Sequence, residues 1–344
     1  MKIYEVASYQ KEIKDFSKSL DLSFYNHKTL FIAGACGLVM SYLIDTLLSN
    51  KDLDIKIIAL AHSPNSGLRF KEDKRLSFIY GDVKDSELIN NIKDKIDIVI
   101  NGASLVDPKS YKERPIDTML INIYGTKNLL DLSLRNNATF LLTSSCEIYG
   151  EADVESIDES YCGKLDPMDV RSCYNESKRA SETLCVSYSV EHGIKTLIAR
   201  LSRTFGPTQS YKDTKALSQF LKNGLHHEDI VLKSKGEQLF SYTYVQDVVS
   251  GLLTILIKGE SQNAYNVTNR ETLRLKDVAQ IVADISNTKV IFDLSDDGMN
   301  KAGYSRVTKG ILDPSKLESL GWQSQVSIKD GIKNTLEAFK QLYE

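Results

Sequence analysis

The sequence predicts an α/β fold, a doubly wound parallel sheet with a smaller α/β lobe at its carboxyl end. Three observations predict it. Short apolar strands alternate with amphipathic helices from residue 29 to about residue 200, the pattern of a parallel sheet with helices on both faces. The first strand runs through a glycine turn, Gly34-Ala-Cys-Gly37, directly into a helix. Beyond residue 200 the alternation loosens into helices and short strands, which marks a second, smaller lobe. The expected boundaries are 1–27 for an amino-terminal helical extension, 28–202 plus 236–268 for the large domain, and 203–235 plus 269–344 for the lobe.

Taken in order, Ile3, Val6, Ile13, Phe16 and Leu20 recur at helical spacing and predict one amphipathic helix, for packing on the main domain or for oligomer contacts. Residues 29–33 form the first strand and 39–48 the helix after the turn. That order leaves backbone N–H groups and a positive helix end free for a pyrophosphate. The third glycine of a GxxGxxG pattern is Met40 here, so the helix is expected to stand further from the strand or to turn this side chain aside. The second strand, 55–60, leads into Ala61-His62-Ser63 with no acid. A carboxylate there would favour NAD and a basic group the 2′-phosphate of NADP; His62, Ser63 and Arg69 are available, and both cofactors stay open. The third strand ends in Gly81-Asp82-Val83, where Asp82 either accepts from an adenine amino group or is a turn aspartate capping the helix from Asp85. The fourth, 97–100, runs into Asn101-Gly102-Ala103-Ser104, small residues that admit a cofactor to the backbone. Asn122 lies on a long helix, either aligning a water or lysine or simply facing outward. The fifth strand, 139–143, delivers Ser144-Ser145-Cys146-Glu147 at its carboxyl end, the end where open α/β sheets bind ligands.

In Arg171-Ser-Cys-Tyr174-Asn-Glu-Ser-Lys178, the tyrosine and lysine lie four apart and share a helix face. A tyrosine titrates near pKa ~10, and a neighbouring cation is expected to lower that value. Such a pair can take a proton from an alcohol as a hydride leaves its carbon. The spacing alone is common; the glycine turn upstream gives it meaning. Later, 203–235 holds a loop at Gly206-Pro207 and a helix, 242–256 returns to the main domain, and 275–285, 290–293 and 328–343 form helix, strand and helix.

Composition excludes several classes. The 344 residues are 42% hydrophobic and 26% charged, ordinary for a globular protein. A net charge of −3 gives no nucleic-acid footprint. No apolar run approaches the ~18–20 residues of a membrane span, and the first residues lack the apolar core of a signal peptide. Cys36, Cys146, Cys162, Cys173 and Cys185 form no CxxC pair, so neither disulfide nor metal site is expected, and a cytoplasmic setting fits.

The stretches TLFIAGACG, GDV, INGAS, NIYGTKNLL, TSSCEIYG, YNESK, RTFGP and YTYVQD occur in this order over roughly residues 29–341. The chain thereby resembles the extended short-chain dehydrogenases that modify nucleotide sugars. The segment ESYCGKLDPMDVRSCYNESKRASETL most resembles UDP-glucuronate decarboxylases; 4,6-dehydratases and 4-epimerases share the fold. The resemblance implies a Rossmann sheet, NAD as cofactor with NADP open, a nucleotide-diphosphate sugar as ligand, and a homodimer. It implies Tyr174 and Lys178 as the catalytic pair, Ser145 on the sugar 4-hydroxyl, and Glu147 as a second acid/base. Gly34, Cys36, Gly37, Leu38, His62, Ser63, Asp82, Val83, Gly102, Ala103, Ser104 and Asn122, with Tyr174 and Lys178, are the implied cofactor contacts. Ser145, Cys146, Arg203 and Arg306 are the implied substrate contacts. The implied cycle oxidises carbon 4, and the 4-keto sugar then exchanges or loses a group at carbon 5 before the hydride returns or is retained.

The chain departs from the family pattern at four places. Phe240 stands where an arginine for the diphosphate is usual, and Arg203 where an asparagine is usual, as though the charge had moved. Gly310 takes the place of the arginine that decarboxylases use beside the substrate carboxylate, with Lys309 and Arg306 close, a loss that argues against decarboxylation. Cys146 replaces the aspartate of 4,6-dehydratases. Because Glu147 is rare in epimerases, a 4,6-dehydratase-type reaction is the first expectation, with 4-epimerase and decarboxylase as alternatives. A non-catalytic dinucleotide binder is the reading from another class, and it has no use for Ser145, Tyr174 and Lys178 together.

Overall fold

The computed structural model describes residues 1–294 and 307–344. Its large sheet holds β1 (Lys28–Ala33), β2 (Ile55–Ala61), β3 (Leu76–Tyr80), β4 (Ile98–Asn101), β5 (Thr139–Ser145), β6 (Thr196–Leu201) and β10 (Asn263–Val267). The order is β10-β6-β5-β4-β1-β2-β3, with every neighbouring pair parallel. All four residues of β4 are buried, as continuous apolar strands must be when helices cover both faces. The chain builds outward from β1 to β3, crosses back, and builds outward again from β4. The crevice between β1 and β4 is therefore the switch point of the winding, where ligands of such sheets bind.

On one face, α1 (Ala7–Ser19), α2 (Leu38–Ser49) and α9 (Val245–Lys258) pack through Tyr9, Leu43, Leu47, Val248 and Leu252 onto Leu30, Ile32 and Ile57. On the other, α4 (Ser86–Asn90), α6 (Pro115–Asn136) and α7 (Ser172–His192) cover Phe31, Val99 and Phe140. The short helices α3 (Pro64–Gly67) and α5 (Pro108–Glu113) follow β2 and β4.

In the lobe, β9 (Leu239–Tyr244) pairs with β7 (Arg203–Phe205), β11 (Thr272–Arg274) and β13 (Lys309–Gly310). A smaller pair joins β8 (Ile230–Leu232) to β12 (Val290–Phe292), beside α8 (Ala216–Leu225) and α10 (Leu275–Ser286). The sequence grouped residues 236–268 with the large domain. Only part of that stretch joins the large sheet: β9 belongs to the small one, while α9 and β10 return. An apolar strand reads alike in either sheet, because its partners are remote in sequence.

The amino-terminal segment is a 3₁₀ turn, Ile3–Glu5, followed by α1. It lies against α2 and the carboxyl-terminal helix Ile328–Tyr343, burying Tyr9, Ile13 and Phe16. Glu12 accepts hydrogen bonds from Tyr42 at 2.6 Å and Tyr244 at 2.8 Å. The segment thus packs on the main domain.

Candidate active site

A cleft of about 1210 Å³ opens at the carboxyl ends of β1, β4 and β5 and runs into the lobe. Gly34 forms its floor with φ +70°. A Cβ there would lie 2.4 Å from the Gly102 carbonyl oxygen, so only glycine allows this turn to lie on the β4 exit. Gly37 caps α2 without a side-chain hydrogen bond, which leaves the first amides of a 12-residue helix for an anion. Met40 is buried, and its Cγ lies 2.5 Å from where a Gly102 Cβ would stand. The bulk of Met40 is thus housed by a glycine on the neighbouring strand, and the helix need not move away. An uncapped helix end, a left-handed glycine and a small-residue floor together fit a dinucleotide pyrophosphate.

Of the expected cofactor residues, Gly34, Cys36, Gly37, Leu38, Gly102, Ser104, Tyr174 and Lys178 line this cleft. Ser104 donates to Asn122 Oδ1 at 2.8 Å, and Asn122 donates to Ser177 Oγ at 2.9 Å. Asn122 is buried and ties the β4 exit to α7. His62 is exposed, and Ser63 shares a hydrogen bond with Ser66 at 3.2 Å. Asp82 accepts from the Lys84 amide at 2.9 Å; Asp85, not Asp82, caps α4. Val83 offers its carbonyl to Asn128 at 3.0 Å, and the Ala103 amide bonds Asn101 at 3.1 Å.

Towards the lobe, Ser145, Cys146, Glu147, Tyr174, Lys178 and Arg203 meet in the same cleft. Tyr174 stacks on Tyr111 with ring centroids 4.8 Å apart. Lys178 donates to the Thr143 carbonyl at 2.9 Å and stands 5.9 Å from the Tyr174 ring centroid. The expected lowering of Tyr174 by the lysine is not what the protein alone shows. Burial pushes Tyr174 up, with a hydrogen bond to Ser145 working against it. Burial also pulls Lys178 down to about 8. With both groups desolvated, the cost of either charge exceeds their mutual help.

Glu147 accepts a hydrogen bond from Arg171 at 2.9 Å, and Arg203 stands 3.7 Å from its other oxygen. Asn175 bonds both Arg171 at 2.8 Å and the Glu147 carbonyl at 2.5 Å. Arg203 lies 3.3 Å above the centroid of the Phe240 ring. A Cβ on Gly310 would lie 3.3 Å from that ring. The two departures at 240 and 310 are therefore neighbours, and a displaced arginine lies over them. Burial pushes the Cys146 thiol up to about 11. Arg306 lies outside the described residues.

Sequence reasoning assigned no role to Arg171, Tyr111 or Thr143. Arg171 opens the Tyr-Lys stretch, yet its partner is 24 positions away, and no spacing rule joins them. Among the described residues no group of His, Cys, Asp or Glu is arranged to hold a metal, and all five cysteines are free thiols. No described helix is long and apolar enough to cross a membrane.

Residues 30–268 match the model of the NAD dependent epimerase/dehydratase family. UDP-glucuronic acid decarboxylase 5 of Arabidopsis thaliana is 32% identical over 314 residues, 90% of this chain and 89% of that one. UDP-glucuronic acid decarboxylase 1 of Danio rerio is 28% identical over 94% of this chain and 75% of that one. Among solved structures, UDP-glucose 4-epimerase of Thermotoga maritima matches with a TM-score of 0.80 and 22% identity, covering 92% of this chain and all of that one (100%). The dTDP-glucose 4,6-dehydratase of Streptomyces venezuelae, solved with NAD bound, matches with a TM-score of 0.79 and 23% identity over 91% and 97%. These structural matches speak for the fold, while the matched family model spans most of the chain. The chain belongs to the NAD-dependent epimerase/dehydratase family of enzymes, with NAD as its cofactor.

Proposed function

We propose that this enzyme oxidises carbon 4 of a nucleotide-diphosphate sugar bearing a carboxylate at carbon 5, and that the 4-keto sugar then loses carbon dioxide. NAD supplies what the side chains lack, an acceptor that takes the carbon-4 hydride and can return it. Tyr174 takes the proton of the 4-hydroxyl, which Ser145 holds in place. Lys178, fixed on the Thr143 carbonyl, brings a cation to the same end of the cleft. Once carbon 4 is a ketone, the bond from carbon 5 to the carboxylate breaks. Its electron pair moves into an enolate whose oxygen rests between Ser145 and Tyr174, and a proton from solvent then adds to carbon 5.

The observation that supports decarboxylation over dehydration is the Glu147–Arg171 pair at 2.9 Å. Dehydration needs a carboxylate that accepts the carbon-5 proton, and protonating Glu147 would strand a largely buried guanidinium. The neighbouring Cys146 supplies no second carboxylate. Decarboxylation needs no base at carbon 5. The decarboxylases among the relatives favour the same reading. A 4,6-dehydratase is the second reading, favoured by the presence of Glu147 beside Ser145.

Incubation with UDP- and dTDP-linked glucose and with UDP-glucuronate, read by mass spectrometry, separates the two. Loss of carbon dioxide from the uronate is expected. Loss of water from a glucose substrate would replace this reading by dehydration, and an isomer of unchanged mass by epimerisation. The reading also takes Arg203 as the diphosphate donor in place of an arginine at 240, since a guanidinium binds paired oxygens in a fork. Arg203→Ala is then expected to raise KM far more than it lowers kcat, and an unchanged KM would exclude that role. For the assembly we propose a homodimer through the outer faces of α6 and α7.

A further inference from the structure

We propose that Arg171 is a positioning residue that sets the strength of the base. Its guanidinium, laid on the Tyr111 ring against which Tyr174 stacks, supports the Tyr174 phenolate, and Glu147 opposes that support by pairing with it. This role rests on Tyr174 as the base of the proposed reaction, whichever group is lost or exchanged at carbon 5.

Arg171, Tyr174, Asn175 and Lys178 follow helical spacing and share one face at the start of α7. Arg171 is the N-cap residue of that helix, yet its side chain caps nothing. A cation beside the positive end of a helix is disfavoured, so the helix itself gives no reason for an arginine here. Its contacts give one. Nη2 donates to Glu147 at 2.9 Å and Nη1 to Asn175 at 2.8 Å. The guanidinium carbon lies 4.4 Å from the centroid of the Tyr111 ring, which stacks on Tyr174 at an interplanar angle of 28°. Tyr111 is held in turn by α5, where Asp107 caps the helix by accepting from the Ser110 amide at 3.0 Å. The base and the cation therefore rest on one fixed ring.

Three elements of the large domain face Tyr174. Its own helix brings Arg171 and Lys178, the exit of β5 brings Ser145, Cys146 and Glu147, and α5 brings Tyr111. The lobe adds Arg203, 3.7 Å from Glu147 and beside Cys146. Burial raises Tyr174 and the Ser145 hydrogen bond lowers it; Glu147 then opposes the phenolate and Arg171 favours it. Lys178 is a weaker source of charge. It is buried, donates to the Thr143 carbonyl at 2.9 Å, and is pulled down to about 8 by burial. An arginine keeps its proton throughout the working range, and a cation close to a phenol favours its ionised form.

The paired charges thus act on the base with opposite signs. Removing the guanidinium leaves Glu147 to act against the phenolate and raises the pH at which Tyr174 ionises. Removing the charge of Glu147 leaves the guanidinium unopposed and lowers that pH. A pair that served only the fold would cost activity in both cases and move the ionisation of Tyr174 in neither.

The test is a pH titration of Tyr174 by tyrosinate absorbance in the NAD-saturated full chain, each protein read against the same protein carrying Tyr174→Phe. Arg171→Gln should move the titration up by about one pH unit or more, and Glu147→Gln should move it down, as expected for a charge close to the phenol. Arg171→Lys, which keeps the charge, should fall between Arg171→Gln and the wild type. If Arg171→Gln folds poorly, Arg171→Lys and Glu147→Gln decide. The acid limb of kcat/KM for UDP-glucuronate should follow the titration, so that activity lost by Arg171→Gln at neutral pH returns at alkaline pH. A chain that does not turn over UDP-glucuronate overturns the proposed reaction and leaves the titration to decide the role of Arg171. A titration that Arg171→Gln leaves unmoved, that fails to fall in Glu147→Gln, or that both substitutions move in the same direction overturns that role.

Discussion

Lys178 carries a cost in the folded protein that its chemistry explains. A lysine in the unfolded chain titrates near ~10.4, whereas burial holds Lys178 at about 8. Between those values the unfolded chain binds the extra proton, so this residue makes stability rise with pH through the window from about 8 to ~10.4. Below about 8 the whole penalty is present. Lys178→Met is therefore expected to stabilise the protein at neutral pH by about 1–3 kcal/mol, less the lost bond to Thr143, while removing activity. Urea unfolding at pH 7 and again near pH 10 measures it: the advantage of the variant should shrink at the higher pH, and a difference that stays constant would mean that desolvation of the ammonium is not the cause. Tyr174→Phe is the complementary case. It keeps the ring on Tyr111 and removes only the hydroxyl, so turnover should fall by ~10²–10⁴-fold with dinucleotide affinity retained, as equilibrium titration would show; a variant retaining most of its rate would remove Tyr174 from the role of base. At this scale the sequence was legible wherever the relation was short in number. Tyr174 and Lys178 share one helix, and Ser145 and Glu147 one strand exit. The Arg171–Glu147 pair and the Thr143 partner of Lys178 join residues that only the fold brings together.

Among the elements, the packing of α2 against the β4 exit shows how a motif can lose a residue and keep its shape. The usual third glycine lets the helix approach the strands, and this chain places Met40 there. Gly102 supplies the missing room from the opposite side, with the Met40 Cγ 2.5 Å and the Sδ 3.0 Å from its absent Cβ. Gly102→Ala should destabilise the protein by about 1–3 kcal/mol through overpacking, and Met40→Ala by about 2–5 kcal/mol through the cavity it leaves. Combined, the two changes should cost less than their sum, by about 0.5–3 kcal/mol. A double-mutant cycle of equilibrium unfolding checks this, and strict additivity would show that Met40 and Gly102 do not share the space. The exchange was half legible. The sequence showed a side chain too large for its place, but not where the space came from, because residues 40 and 102 are brought together only by the pairing of β1 with β4. The same limit hid the allegiance of β9. Its apolar run named a strand, whereas its partners β7, β11 and β13 lie before and after it in the chain.

For the whole molecule, the two longest helices each leave large apolar side chains exposed among the described residues. On α6, Ile116 is 73% exposed and Tyr124 51%; on α7, Val190 is 71% exposed. The helices are joined to each other by a Tyr188–Asp131 hydrogen bond of 2.6 Å. Exposed large apolar side chains are candidates for an interface. A second copy is the simplest occupant, because a two-fold axis sets α6 and α7 of one protomer against the same pair in the other and buries both faces at once. The cleft opens at the carboxyl ends of the strands, while α6 and α7 cover one face of the sheet, so pairing there leaves both active sites open. The double substitution Tyr124→Glu with Val190→Glu puts like charges across such an axis and should yield a folded monomer. Light scattering at tens of micromolar checks it, with the dinucleotide affinity of the variant as the control for folding. Two chains per particle in the wild type and one in the variant are expected. A wild type that scatters as a single chain, or a variant that remains paired, would move the interface elsewhere or remove it.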